Sequence, residues 1–118
     1  MGKKILVVDD EPDVCDFLTA LLEDAGYAVR SALNGIEAMT LVKEERPDLI
    51  LLDLQMPEET GTGFYRKLRN KKELKTIPII VVSGLAGRNI AVGKSIKVLD
   101  KPLDESLVLQ AVHQAVGA

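Results

Sequence analysis

Five side chains capable of chemistry stand at or just beyond the ends of apolar runs in this 118-residue chain. Asp9 and Asp10 follow ILVV, Asp53 follows LILL, Ser83 follows IPIIVV, and Lys101 comes just after IKVL. Carboxylates gathered within a few ångströms repel one another and push at least one pKa upward unless a cation neutralises them. A hard divalent ion meets that need. A ligand set made of oxygens, without histidine or cysteine, favours Mg²⁺, which keeps several waters and takes one or two carboxylates. A metal so held, with a lysine opposite, stabilises the charge of a transferring phosphoryl group. An aspartate beside it is then a nucleophile for an acyl phosphate. Acids after strands also cap the helices that follow. Capping accounts for neither the doubled acid at Asp9-Asp10 nor a lysine closing the last run.

The elements that must position these residues follow from periodicity and punctuation. Lys3 to Asp10 reads as a buried strand, and Pro12 at a first helical position opens a helix with Val14, Leu18, Leu21, Leu22 and Ala25 on one face, stopped by Gly26. Tyr27 to Ala32 reads as a second strand. Asn34 with Glu37 three residues later is a capping-box-like start for a helix through Ile36, Met39 and Val42, which Pro47 ends. Leu49 to Leu54 is the third strand, and a loop with Pro57 and Gly61 leads to a helix around Phe64, Tyr65 and Leu68. Ile77 to Ser83 and Ile96 to Lys101 are the fourth and fifth strands. Asp104 caps a last helix carrying Leu107, Val108, Ala111, Val112 and Ala115. This alternation predicts a parallel sheet with right-handed crossovers and helices on both faces. The carboxyl ends of its strands form one edge, where open α/β folds bind ligands.

Composition narrows the function. The length fits one domain over residues 1–118, with no output domain in this chain, and 47% hydrophobic with 28% charged residues is ordinary for a globular protein. A net charge of −3 with interspersed signs, and no interleaving of aromatic and basic residues, argues against direct nucleic-acid binding. One cysteine excludes an internal disulfide. The absence of a leader pattern or a bilayer-length apolar stretch predicts a cytoplasmic protein without a membrane partner. Cys15, in a helical pattern, reads as a small packing residue, and His113 as a half-exposed surface ring.

Taken in order, ILVVDDEPDV, LLDLQMPEETG, IIVVSG and LDKPLD resemble the response-regulator receiver domains of two-component signalling, from about Lys3 to the C-terminus. The resemblance implies a flavodoxin-like, doubly wound five-stranded parallel sheet of order 2-1-3-4-5. It implies that Asp53 accepts a phosphoryl group from a histidine kinase or phosphotransfer protein. Asp10, Asp53 and the backbone carbonyl of Gln55 would bind Mg²⁺ directly, with Asp9 acting mostly through metal-bound water. Lys101 would pair with the phosphoryl oxygens and Ser83 would hydrogen-bond one of them. The only chemistry implied is self-phosphorylation and self-dephosphorylation, and the Lys101-Pro102 peptide is expected to be cis. Val98 stands where many receivers carry an aromatic switch residue.

Other readings fit less well. GRNIAVGKS ends in Gly93-Lys94-Ser95, but five residues separate Gly87 from Gly93 where a nucleotide-binding loop needs four. A Mg²⁺-dependent phosphatase of small molecules uses an Asp-x-Asp arrangement, whereas position 55 is Gln. A flavin carrier shares the fold, but the acidic turn DDEPD repels phosphate. A receiver-like module that is never phosphorylated would not require the intact acid set. Finally, Gly84 to Ser95 is a short link rich in glycine, which predicts a shortened or irregular fourth crossover helix; the resemblance implies that this helix, strand five and the last helix form the usual signalling face, so no ordinary dimer through it is expected.

Overall fold

The computed structural model describes residues 2–53, 60–83 and 97–117, leaving aside the side chains of 60–62 and Ser83. Five strands and four helices lie within the described residues: β1 (Lys4–Val8), α1 (Pro12–Asp24), β2 (Ala28–Ala32), α2 (Gly35–Glu44), β3 (Leu49–Asp53), α3 (Thr60–Asn70), β4 (Ile79–Ser83), β5 (Lys97–Asp100) and α4 (Glu105–Val116). The strands form one sheet in the order β2-β1-β3-β4-β5, every pair parallel. This is the doubly wound order expected from the sequence. The shortened crossover helix expected between Gly84 and Ser95 lies outside the described residues, as does the loop carrying Gln55.

Strand alternation divides the core into two layers. Ile5 and Val7 of β1, Leu49 and Leu51 of β3, and Ile80 and Val82 of β4 pack against Cys15, Leu18 and Leu22 of α1 and Val108, Ala111 and Val112 of α4. The intervening residues Leu6, Val8, Ile50, Leu52, Ile79 and Val81 face Ala38 and Val42 of α2 and Phe64 and Leu68 of α3. β3 is buried at all five positions because helices cover both of its faces, so its sequence LILLD runs apolar without alternating. Each fully buried Leu or Ile there contributes about 1.5–3 kcal/mol. The strand bearing Asp53 is therefore a rigid support.

The same alternation aims the chemistry. Asp53 shares the parity of Leu49 and Leu51, and Lys101 that of Leu99, so both belong to the face covered by α1 and α4. Asp9, two residues beyond Val7, follows the same parity.

Local signals explain most element ends. Asn34 Oδ1 accepts the Glu37 N–H at 2.8 Å, and Glu37 Oε1 reaches back to the N–H of Leu33 at 2.7 Å, one residue beyond the ordinary capping box. Asp104 Oδ1 accepts the Leu107 N–H at 3.1 Å, and the Ser106 hydroxyl and this N–H hold the Asp104 carboxyl below its ordinary pKa. Gly26, after α1, and Gly117, after α4, take φ of +100° and +70°, a region that favours glycine.

Three expectations shift. β4 begins at Ile79, not Ile77, because Pro78 has no N–H for the ladder and the Ile77 N–H bonds back to the Leu74 carbonyl at 3.1 Å. In α2 the buried residues are Ala38 and Val42, while Ile36 is 77% exposed. In α4, Leu107 points outward at 55% exposure. Val98 of β5 is half-buried against the α2–α3 layer.

Candidate functional site

The carboxyl edge of the sheet gathers the predicted residues. β1 ends at Val8, and the chain continues through Asp9, whose N–H bonds to the Ala32 carbonyl at 3.1 Å, so that β2 still holds it. Asp9 is fully buried, Asp53 is buried at the end of β3, and Asp10 is exposed. Carboxylate oxygens of the three lie within 4.8 Å of one another. Ser83 is the last residue of β4 and pairs in register with Asp100 of β5. Lys101 follows β5, and its bond to Pro102 is cis, as the resemblance implies.

Lys101 is the cation of the group. Its Nζ lies 2.9 Å from Asp9 Oδ2, 2.9 Å from Glu11 Oε1 and 3.5 Å from Asp53 Oδ2. Burial pulls its pKa down, but the close contacts with the Glu11 and Asp9 carboxylates and the charges of Asp53 and Asp9 outweigh this and leave it raised. The ammonium stays charged across the physiological range. Its stabilisation is complete below the ordinary lysine value and is lost only as pH rises through the higher folded value.

Asp9 is less comfortable. Burial pushes its carboxyl above the ordinary value, the Glu11 N–H at 2.9 Å and Lys101 offset part of that, and the charge of Asp53 adds to it. Its Oδ2 meets Lys101 as an ion pair but has no aligned hydrogen-bond donor among the described residues. With the folded pKa raised, the folded state binds more protons than the unfolded chain as pH rises above 3.8, so Asp9 takes stability away with rising pH until it is fully ionised. A bound cation would reverse that penalty.

The trio offers only hard oxygen donors, one of them an under-satisfied buried carboxylate oxygen, which suits Mg²⁺.

Two features were not anticipated. The resemblance implies for Asp9 a role through metal-bound water, and the structure adds one of the two shortest contacts with Lys101. Glu11 was read only as part of an acidic turn, yet it shares the lysine equally. The available signal was its residue type, since glutamate is not a favoured N-cap.

Cys15 sits beneath the site, its Sγ 3.3 Å from the Asp9 carbonyl oxygen. Burial and the charge of Asp9 push the thiol up to about 11. Alkylation at pH 8 is therefore expected to run roughly a hundredfold slower than in the unfolded chain, because so little thiolate is present. Timed iodoacetamide labelling read by mass spectrometry checks this; equal rates would contradict it. His113 is exposed on α4, as expected.

The sequence matches the family model of the response regulator receiver domain across residues 5–113. The chain belongs to that family. It is 36% identical to the protein PilH of Pseudomonas aeruginosa over 118 residues, covering 97% of this chain and 98% of PilH. It is 34% identical to the protein Rrf1 of Nitratidesulfovibrio vulgaris over 117 residues, covering 99% of this chain and 85% of Rrf1. Among solved structures it resembles the signal receiver domain of a signal transduction histidine kinase from Syntrophus aciditrophicus, with a TM-score of 0.87 at 30% identity, over 98% of this chain and 91% of that one. The chain is a phosphoacceptor receiver domain of two-component signalling. No helix among the described residues is long and apolar enough to cross a membrane.

Proposed function

We propose that Asp53 is the phosphoacceptor, that Asp10, Asp53 and the Gln55 carbonyl hold Mg²⁺ with Asp9 behind them, and that Lys101 and Ser83 bind the phosphoryl oxygens. The observation that carries this reading is the position of Lys101 Nζ, 3.5 Å from Asp53 Oδ2, beside a carboxylate trio within 4.8 Å. A nucleophile, a metal-capable oxygen set and a cation meet at one point.

The donor is a phosphohistidine of a histidine kinase or phosphotransfer protein. An Asp53 carboxylate oxygen attacks phosphorus and forms the acyl phosphate. The phosphorus–nitrogen bond breaks, its electron pair stays on the ring nitrogen, and an imidazole protonated at its other nitrogen leaves neutral. Mg²⁺ held by Asp10, Asp53 and the Gln55 carbonyl would supply charge neutralisation to the transferring phosphoryl group. Lys101 adds a point charge held in place by Asp9, and the Ser83 hydroxyl, at the end of the adjacent strand, donates a further hydrogen bond. Later attack of water on phosphorus returns the carboxylate and releases inorganic phosphate.

Residues 1–118 then act as one cytoplasmic receiver domain whose chemistry is confined to gaining and losing its own phosphoryl group. Incubation with acetyl phosphate and Mg²⁺ should give at most one hydroxylamine-labile phosphate per chain, with no sustained turnover of p-nitrophenyl phosphate. Many turnovers of the ester would favour the phosphatase reading, and a folded protein that takes no label would favour an inert module.

A further inference from the structure

Helix α1 starts on a residue that does not cap it. Glu11 occupies the N-cap position with extended backbone, φ −95° and ψ 110°, and makes no side-chain capping bond. Its carboxylate turns instead to Lys101 Nζ, 2.9 Å away and 90 positions along the chain. The Glu11 side chain is 58% exposed against 16% for Lys101, so the acid reaches inward from the rim of the site.

The three carboxylates on Lys101 are not equivalent. Asp9 and Asp53 belong to the trio whose oxygens converge within 4.8 Å, and Glu11 does not. A cation in the trio neutralises Asp9 and Asp53 and loosens their hold on the ammonium. Glu11 keeps its full charge and its contact. A phosphoryl group on Asp53 must then compete with Glu11 for the lysine's three N–H donors. Being half in solvent, the Glu11 carboxylate can swing into water with little desolvation cost, whereas fully buried Asp9 has no such exit.

We propose that Glu11 is a positioning residue that competes with the phosphoryl group for Lys101, and so sets how tightly the site holds that group. The proposal rests on the reading of Asp53 as acceptor and Lys101 as phosphoryl partner. It makes the occupant of position 11 a determinant of phosphoryl affinity independent of metal binding.

Beryllofluoride titration in saturating Mg²⁺, followed by amide NMR on the intact chain, tests this in the wild type, Glu11→Gln and Asp13→Asn. Asp13 is an exposed acid in the first turn of the same helix with no ion pair among the described residues, so it controls for net charge. Glu11→Gln should tighten beryllofluoride binding about two- to fivefold, the range for a partly exposed ion pair. It should lower the thermal midpoint by no more than about one or two degrees, as loss of a partly exposed ion pair does, and keep the Mg²⁺ affinity within about twofold of the wild type, and Asp13→Asn should give no comparable gain in beryllofluoride binding. Unchanged or weaker binding in Glu11→Gln, or an equal gain in Asp13→Asn, would overturn the proposal. A folded wild type that fails to bind beryllofluoride at all would overturn the acceptor reading and the proposal with it.

Discussion

Asp53→Asn should abolish incorporation of acid-labile phosphate from acetyl phosphate or phosphoramidate while leaving the fold at least as stable as the wild type. The amide keeps the shape of the side chain but is no nucleophile, so labelling falls to background. Stability follows from the balance of charges at the site. Lys101 loses the longest of its three contacts, 3.5 Å, and keeps Asp9 and Glu11 at 2.9 Å each. Asp9 meanwhile loses a neighbouring charge that raises its pKa. The net change is expected to be zero or a gain on the order of 1 kcal/mol, read as a thermal midpoint at or above that of the wild type. A midpoint several degrees lower would mean that Asp53 is held by attraction more than by the rigidity of β3.

Asp10→Ala should have the largest effect on metal binding. Asp10 is the exposed member of the trio, so its removal changes stability by no more than about 0.5 kcal/mol while taking away one of the oxygen ligands proposed for the metal. Loss of a partner merely supporting a metal ligand costs about 10–100-fold in affinity, and loss of a ligand itself should cost at least that. Phosphorylation should fall in parallel, whereas Ser83→Ala should retain metal binding. Mg²⁺ titration by NMR or calorimetry measures both. An unchanged titration in Asp10→Ala would remove this residue from the ligand set.

The layout of the site was legible in the sequence because it is topological. Apolar runs such as LILL and IIVV can be buried on both faces only in a parallel sheet, and the residues that end them must share an edge. Asp9, Asp10, Asp53, Ser83 and Lys101 fall at that edge by chain order alone. Element ends were legible where a side chain fixes them, as Asn34 and Asp104 do. The start of β4 was not, because the apolar Ile77 looks like strand while its N–H serves the preceding turn. Ile36 and Leu107 look like core residues by type, but their angular position on α2 and α4 turns them outward. Pairwise contacts inside the site were least legible. Periodicity places Glu11 at a helix start and says nothing of a flexible side chain reaching a lysine at the far end of the chain.

Mapping the phosphoryl group tests directly whether Asp53 carries it. The chain is phosphorylated with phosphoramidate in Mg²⁺, the acyl phosphate is trapped by borohydride reduction, and the digested peptides are sequenced by mass spectrometry. The reduced residue, homoserine, should appear at position 53 alone, with the peptides containing Asp9, Asp10 and His113 unmodified. Trapped label at Asp9 or Asp10, or phosphate retained on His113, would contradict it.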